Sequence, residues 1–271
     1  MWDHCLLARV SRANASKDYV SRCKGDNVAE PTRVAIVTGG GRGIGLASAL
    51  RLAAAGRDIV IADNGEHGQA AAEQVAALGR QATFIRTDIA DPAAVRALAD
   101  ETLRRCGRID ILVNCAGVLG REEGFLERED AEWHRVLNIN LHGVYHACQA
   151  VLPTMLAQGW GRIVTISSGA RRGAPQLVPY ATSKGAVVSL MRSIANGYAA
   201  QGILANCVEP GRALTEMVVP RFSAEFLANP PGVPIGRYSE ADEVAVVVNY
   251  LCSEENTYTV GAVWRVAGAA G

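Results

Sequence analysis

Aromatic residues are scarce in this 271-residue chain, at 6% of the sequence, and no apolar run approaches the roughly 20 residues that a membrane-spanning helix needs. The chain also has no excess of either charge, because 27 lysines and arginines balance 27 aspartates and glutamates. Without a net positive charge, nucleic acid and anionic membranes are disfavoured as main partners. The remaining composition, with 49% hydrophobic residues and 28 glycines, is typical of a globular enzyme.

The seven cysteines form no Cys-x-x-Cys pair, and their number is odd. The sequence therefore gives no support for a disulfide framework or for a zinc site. We interpret the cysteines as reduced thiols, mostly small buried hydrophobes, and this interpretation predicts a cytoplasmic protein.

The first 31 residues differ from the rest of the chain, because they are polar, mixed in charge and weakly periodic. Their apolar patch at 5–10 is shorter than the core of a signal peptide, and acidic residues argue against a transit peptide. We expect residues 1–31 to be a disordered leader, or an upstream start codon carried into the translation, since so polar a segment buries little apolar surface. One domain is then expected over residues 32–271.

From Arg33 onward, short β-branched runs alternate with longer amphipathic stretches. The runs are almost continuously apolar, as is typical of strands buried on both faces of a parallel sheet. They predict seven strands, at 33–38, 58–62, 82–86, 109–114, 162–167, 203–208 and 262–266. The alternation predicts an α/β fold: a Rossmann-like, doubly wound, seven-stranded parallel sheet with helices on both faces.

Two local signals add detail to this fold. Asp91-Pro92 is a typical helix start, with an N-cap followed by proline at the first helical position. The least regular span, 212–237, follows a late strand, where a substrate lid would lie over the carboxyl ends of the sheet.

The segment Thr38–Gly45, TGGGRGIG, follows the first predicted strand and opens the first long helix. In that context, backbone N–H groups and a helix N-terminus can receive a pyrophosphate. The segment reads T-G-x-x-x-G-x-G rather than G-x-G-x-x-G, and a turn without a ligand is the competing interpretation. The strand before it and the helix after it favour a dinucleotide site. The loop residues expected at the cofactor are Gly39, Gly41, Arg42, Gly43, Ile44 and Gly45.

Asp63 ends the second predicted strand. A carboxylate there can accept hydrogen bonds from the adenosine ribose hydroxyls and would repel the 2′-phosphate of NADP. A turn or a helix N-cap is the competing role for Asp63. Arg42 is the opposing signal, because its guanidinium could meet a 2′-phosphate. Since no basic residue directly follows Asp63, the pattern predicts NAD as the cofactor, with NADP possible.

Two further motifs follow in order: NCAG at 114–117 and YATSK at 180–184. Together with the glycine loop, they resemble the short-chain dehydrogenase/reductase family in order and spacing, from about Arg33 to Gly268. The resemblance implies a catalytic set formed by Asn140, Ser168, Tyr180 and Lys184. It also implies cofactor contacts from Asp88, Ile89, Asn114, Ala116, Gly117, Tyr180, Lys184, Pro210, Gly211, Ala213 and Thr215. Cys115 departs from the family's usual asparagine, and Ala267 stands where aspartate is common.

Tyr180 and Lys184 lie four residues apart on a predicted helix, so both face the same way. A phenol with a pKa near 10 is a poor base at neutral pH. The lysine ammonium, together with an oxidised nicotinamide, would lower that pKa and favour the phenolate. Tyr180 could then accept a proton from a substrate hydroxyl, or donate one to a carbonyl in the reverse direction. An amphipathic helix without chemistry would leave the upstream serines and the glycine loop unexplained.

The identity of the partner serine is ambiguous. Ser167 and Ser168 both end the fifth predicted strand; the register of the strand favours Ser168, and the spacing to Tyr180 favours Ser167. We expect Ser168 to bind the substrate oxygen together with Tyr180, and we keep Ser167 as the alternative. By the resemblance, Asn140 helps to hold a water that links Lys184 to solvent.

The resemblance implies an oxidoreductase that interconverts a secondary alcohol and a ketone with a nicotinamide cofactor. A 3-oxoacyl-thioester reductase using NADPH is the alternative, because Arg121, Arg171, Arg172 and Arg212 could grip an anionic carrier. A non-catalytic NAD-binding regulator or scaffold is less well supported, because the catalytic set is intact. We expect a homodimer or homotetramer, as is usual in the family, acting on a small-molecule alcohol or carbonyl, without nucleic acid, membrane or metal.

Overall fold

The computed structural model describes residues 32–270, so the expected leader lies outside the described residues. The strands of the main sheet are β1 (Val34–Thr38), β2 (Asp58–Asp63), β3 (Ala82–Arg86), β4 (Ile111–Asn114), β5 (Gly161–Ile166), β6 (Ile203–Pro210) and β9 (Val263–Val266). All seven are parallel, in the order β3-β2-β1-β4-β5-β6-β9. The seven predicted strands and the doubly wound sheet are thereby confirmed.

Helices connect the strands and cover the sheet. They are α1 (Gly43–Ala54), α2 (His67–Ala76), α3 (Pro92–Cys106), α4 (Asp130–Leu137), α5 (Gly143–Gln158), α6 (Val178–Tyr198), α7 (Ala224–Ala228) and α8 (Ala241–Leu251). A π-helical turn at Asn138–His142 joins α4 to α5, and two short strands, β7 (Ala213–Leu214) and β8 (Ser239–Glu240), pair outside the main sheet. The irregular span 212–237 thus contains β7, a 3₁₀ turn at Val219–Arg221 and α7.

Two apolar layers form, one on each face of the sheet. Alternate residues of β1 enter the two layers: Val34 and Ile36 pack into one, Ala35 and Val37 into the other. The first layer is closed by α3, α5 and α6, and the second by α1, α2 and α8. Burial on both faces explains why the strand sequences are almost continuously apolar.

The order of the strands reverses between β1 and β4, because β2 and β3 lie on one side of β1 while β4 to β6 lie on the other. Connections that diverge at this point leave a crevice beyond the carboxyl ends of the strands. Thr38 and Asn114 face each other at the last register position of this pair. The segments that follow Thr38 and Asn114 therefore meet at the mouth of the crevice.

Within residues 32–270, no helix combines the length and apolarity needed to cross a bilayer. The same residues contain no group of three or more His, Cys, Asp or Glu side chains that could hold a metal ion. The cysteines of this range, Cys106, Cys115, Cys148, Cys207 and Cys252, are all free thiols.

The helix start predicted at Asp91 is confirmed. Its Oδ1 accepts a hydrogen bond from the Ala93 N–H at 2.8 Å, and Pro92 is the first residue of α3. We expect Asp91→Ala to lower the free energy of unfolding by about 1 kcal/mol, because this N–H loses its acceptor. Asp91→Asn keeps a capping oxygen and should cost much less. Urea unfolding of both variants measures the difference, and equal losses would contradict the capping role.

Candidate active site

The glycine loop brings three backbone segments into close contact. Gly39 has a φ of +64°, and a Cβ added to it would lie 2.7 Å from the backbone N of Ala116. A Cβ on Gly45 would lie 2.0 Å from the Gly39 carbonyl oxygen. Any side chain at these two positions would push the loop away from the end of β4 and from α1. The glycines therefore allow the loop to close tightly at the mouth of the crevice.

The N-terminus of α1 points into this crevice without a capping side chain. Its N-cap residue is Arg42, which makes no side-chain capping hydrogen bond, and the first turn of α1 contains no acidic residue. The first N–H groups of a helix lack partners inside the helix and carry a partial positive charge. The end of α1 is therefore fitted to receive an anion such as the pyrophosphate of a dinucleotide.

A cavity of about 270 Å³ extends from this helix end along the carboxyl edge of the sheet. Most of the predicted cofactor residues line it: Gly39, Arg42, Gly43, Ile44, Asp63, Asp88, Ile89, Ala116, Gly117, Tyr180, Lys184, Pro210, Gly211, Ala213 and Thr215. We call it the cofactor cavity. The structure thus brings to one place residues that are spread over most of the chain.

Three predicted cofactor residues lie behind the wall of the cofactor cavity instead of on it. Gly41 donates its N–H to Asp63, Gly45 is buried at the start of α1, and Asn114 is buried at the end of β4. The Asn114 Nδ2 donates to Thr165 Oγ1 at 3.1 Å and so ties β4 to β5. These three residues shape the cavity from behind its wall.

Asp63 lies on the wall of the cofactor cavity with both carboxylate oxygens in use. Oδ2 accepts the Gly41 N–H at 3.0 Å, and Oδ1 accepts the Gly65 N–H at 2.9 Å. Helix α2 begins only at His67, so Asp63 is not its cap. The turn role that competed in the sequence is real, but it does not exclude the cofactor role, since each carboxylate oxygen can accept further hydrogen bonds.

The two serines after β5 have different environments. Ser167 is buried and lines the cofactor cavity only, and its Oγ donates to the Lys184 carbonyl at 2.8 Å, which leaves its hydroxyl proton committed to α6. Ser168 lines both the cofactor cavity and the larger cavity beside it, and it makes a hydrogen bond with Tyr180. The geometry thus favours Ser168 over Ser167 as the serine that meets the substrate.

Tyr180 lies in the first turn of α6, opposite Ser168. Burial raises the pKa of the phenol, and the hydrogen bond with Ser168 partly offsets that rise. Lys184 Nζ lies 5.8 Å from the centre of the Tyr180 ring and donates to the Ile166 carbonyl at 2.8 Å. The protein groups alone therefore keep the phenol neutral. From the sequence, Lys184 and an oxidised nicotinamide together are expected to lower the pKa of Tyr180. Lys184 by itself does not lower it below its usual value.

Lys184 and Asn140 both lie close to Gly117. A Cβ added to Gly117 would lie 3.2 Å from Asn140 Oδ1 and 3.5 Å from Lys184 Nζ. Burial lowers the pKa of the Lys184 ammonium. Asn140 lies in the π-helical turn, fully buried, where its amide accepts from the Val118 N–H and donates to the Val118 carbonyl, both at 2.8 Å. Its described contacts clamp the segment after β4, and its place in a water relay stays a prediction.

A second cavity, of about 1140 Å³, opens beside the cofactor cavity. Six residues belong to the walls of both: Ser168, Tyr180, Pro210, Gly211, Met217 and Val218. The outer wall comes from the 212–237 span and from residues 265–270. We call it the substrate cavity, because it meets the cofactor cavity at the serine and the tyrosine. The position expected for the 212–237 span over the sheet edge is confirmed.

Sequence reasoning missed Glu209, a buried carboxylate at the end of β6. It forms ion pairs with Arg171, Arg172 and Arg265, of which Arg172 and Arg265 also line the substrate cavity. Burial by itself would raise the pKa of Glu209, but hydrogen bonds from Arg172 and Arg171 outweigh it and lower the pKa. An acidic residue inside an apolar strand, together with the Arg-Arg pair upstream, was the available signal.

Comparison with known proteins agrees with this geometry. The family model described as short chain dehydrogenase matches residues 33–225. A cis-4-hydroxycyclohexanecarboxylate dehydrogenase from Sinomonas cyclohexanicum is 37% identical over 238 residues, covering 87% of this chain and 95% of the relative. A 3-oxoacyl-[acyl-carrier-protein] reductase from Aquifex aeolicus is 36% identical over 239 residues, covering 87% and 96%.

A crystal structure of NAD⁺-bound xylitol dehydrogenase superimposes with a TM-score of 0.81 at 30% identity, covering 89% of this chain and all of that one. On the strength of this match, the catalytic motifs and their position at the junction of two cavities, the chain belongs to the short-chain dehydrogenase/reductase family and is an oxidoreductase that acts on alcohol and carbonyl groups.

Proposed function

We propose that this enzyme interconverts a secondary alcohol and a ketone with NAD, using Tyr180 as the general acid and base. The observation that carries the proposal is the position of Ser168 and Tyr180, on the shared wall of the cofactor and substrate cavities. A carbonyl carbon placed there would lie between the nicotinamide and the two hydroxyl groups. Proximity of this kind is what a transfer between two bound molecules requires.

When bound, the dinucleotide supplies or accepts the hydride. In reduction, the Ser168 hydroxyl donates a hydrogen bond to the substrate oxygen, and the Tyr180 hydroxyl delivers the proton. In oxidation, Tyr180 accepts the proton of the alcohol. Because burial holds the phenol neutral, the reduction starts from the form that the protein itself favours. Oxidation needs the phenolate, which the positive charge of the oxidised nicotinamide and of Lys184 would stabilise.

NAD is the proposed cofactor because of the fixed position of Asp63. Two backbone N–H groups hold this carboxylate on the cavity wall at the end of β2. A 2′-phosphate brought to the same wall would face a like charge, whereas ribose hydroxyls would meet an acceptor. Arg42 lines the same cavity and is the group that would favour NADP.

Reduction of a 3-oxoacyl thioester is the second candidate. The size of the substrate cavity and its arginines would suit an acyl group on an anionic carrier, as in the named Aquifex relative. Asp63 weighs against it if that reaction uses NADPH. Comparing acetoacetyl thioesters with simple ketones, each with both cofactors, distinguishes the two candidates.

We further propose a cytoplasmic homodimer or homotetramer. The five free thiols support a reducing compartment. Large apolar side chains exposed on α5, α8 and β9 support burial against a second copy; they are Tyr145, Val246 and Trp264. Light scattering after size-exclusion chromatography measures the assembly, and a monomer at micromolar concentration would contradict it.

Removal of the Tyr180 hydroxyl tests the acid–base role. We expect Tyr180→Phe to lower kcat/KM by about 10²- to 10⁴-fold across a panel of secondary alcohols and ketones, while NADH binding persists. Tyr198→Phe removes a phenol from the exposed end of the same helix and should change little. Activity retained by Tyr180→Phe would refute the mechanism.

Alanine substitutions separate the two serines. Ser168→Ala should reduce kcat/KM by about 10²-fold or more, because the substrate oxygen loses a donor. Ser167→Ala should mainly cost stability, about 1 kcal/mol from the lost bond to Lys184. Since the Ser168 hydrogen bond lowers the pKa of Tyr180, its loss should shift the pH profile of oxidation to higher pH. Ser167→Ala should leave that profile in place; the reverse pattern would assign the role to Ser167.

A change of charge at Asp63 tests the cofactor. Wild-type kcat/KM should favour NAD over NADP, and Asp63→Asn should reduce that ratio by about tenfold or more, because the repulsion is removed. Glu66→Gln removes an exposed carboxylate three residues later and serves as the matched control. A wild-type preference for NADP would contradict the assignment, whatever the variants do.

A further inference from the structure

The outer wall of the substrate cavity carries an unusual number of cations. Five arginines line it, against two glutamates: Arg172, Arg212, Arg221, Arg237 and Arg265, with Glu122 and Glu243. The rest of the wall is largely apolar and includes Leu119, Leu177, Met217 and Phe222. Two of the four arginines that the sequence suggested for an anionic group, Arg121 and Arg171, are not among the lining residues.

Four of the five arginines face a carboxylate. Arg221 pairs with Glu122, and Arg237 pairs with Glu243 through two contacts of 2.6 Å. Arg172 and Arg265 share the buried Glu209, as described above. Their charges are therefore balanced, wholly or partly, by groups of the protein.

Arg212 differs from the other four. Its Nη1 donates to the hydroxyl of Tyr238 at 2.9 Å, and no carboxylate among residues 32–270 forms an ion pair with it. Its guanidinium carbon lies 5.0, 5.4 and 5.7 Å from the ring centres of Phe222, Phe226 and Tyr238. The rings hold the cation through their faces without neutralising its formal charge. The wall thus presents a positive charge, backed by aromatic rings, to the cavity.

The backbone keeps Arg212 in a defined place. It follows Gly211, which lines both cavities, and its carbonyl accepts the Ser239 N–H at 3.2 Å beside the β7–β8 pair. Tyr238, which holds the guanidinium, is 2% exposed. Because the backbone and Tyr238 are both fixed, the cation is positioned before a ligand arrives. A pre-positioned guanidinium loses little freedom when it binds a planar oxyanion.

We propose that Arg212 is a specificity-determining residue that binds an oxyanion, such as a carboxylate, on the alcohol or ketone substrate, at the end away from the reacting carbon. The proposal rests on the proposed function, since it assigns Ser168 and Tyr180 to the reacting oxygen. The apolar wall between the two sites would hold the carbon skeleton that joins them. Neutral ketones of the same shape are then poorer substrates, because they leave the guanidinium without an anion.

The test compares matched acids and amides. The keto acids are 4-oxopentanoate, 6-oxoheptanoate and 4-oxocyclohexanecarboxylate, and each is compared with its neutral carboxamide. The sulfonate analogue of 6-oxoheptanoate shows whether the site prefers a sulfonate or a carboxylate. Turnover is measured with NADH, and binding to the enzyme–NADH complex is measured by calorimetry. We expect at least one acid to exceed its amide by about 10- to 100-fold in kcat/KM or affinity, the range of a charge-assisted hydrogen bond.

Arg212→Gln should bring that ratio close to one, and Arg212→Lys should restore part of it. Arg237→Gln removes a cavity arginine that already faces Glu243, and it should keep the wild-type ratio. Equal treatment of acids and amides by the wild type, or a ratio that survives Arg212→Gln, overturns the proposal. Acids that bind through Arg212 while no ketone is reduced would leave the anion site standing and refute the proposed function instead.

Discussion

Two hydrogen bonds between the end of β5 and helix α6 hold the proposed catalytic groups in register. Lys184 Nζ donates to the Ile166 carbonyl, and Ser167 Oγ donates to the Lys184 carbonyl, both at 2.8 Å and both buried. One bond comes from the side chain of Lys184 and the other ends on its backbone, so sliding or rotation of α6 along the strand end would break both. Ser168, the next residue after Ser167, is thereby held against Tyr180, which lies one helical turn before Lys184. Buried polar groups that are satisfied in this way specify one arrangement.

These hydrogen bonds also explain why the adjacent Ser167 and Ser168 have different environments. In the extended chain at the end of β5, neighbouring side chains point to opposite sides. Ser167 donates its hydroxyl proton to α6 and lines the cofactor cavity alone, whereas Ser168 lines both cavities. The same strand end therefore provides both a structural hydrogen bond and a hydroxyl on the wall that the two cavities share. Burial of the neighbouring Tyr180 phenol stabilises its neutral form. In the proposed oxidation, the phenolate would therefore need the charge of the oxidised nicotinamide in addition to that of Lys184.

Much of the fold and of the cofactor site could be predicted from local signals. Each strand was visible as an apolar run, and the cap at Asp91 and the glycine loop were readable from a few residues each. The ion pairs of Glu209 and the aromatic environment of Arg212 could not be predicted from such local signals. The partners of Glu209 come from a 3₁₀ turn at Gly169–Arg172 and from β9. The rings around Arg212 belong to Phe222, to Phe226 in α7 and to Tyr238, the residue before β8. No short-range pattern encodes contacts between segments so far apart in the chain.

The sequence by itself determined the doubly wound sheet, the glycine loop at its first turn and the residue types of the catalytic set. These follow from burial on both strand faces, from steric limits on the backbone and from the chemistry of a few side chains, all of which act over short stretches. The tertiary structure alone decided which serine lines both cavities and which predicted residues line or support the cofactor cavity. It also decided which of the five substrate-cavity arginines forms no ion pair with a carboxylate among residues 32–270. Those outcomes depend on distances between side chains from different elements, and such distances exist only once the sheet has brought the elements together.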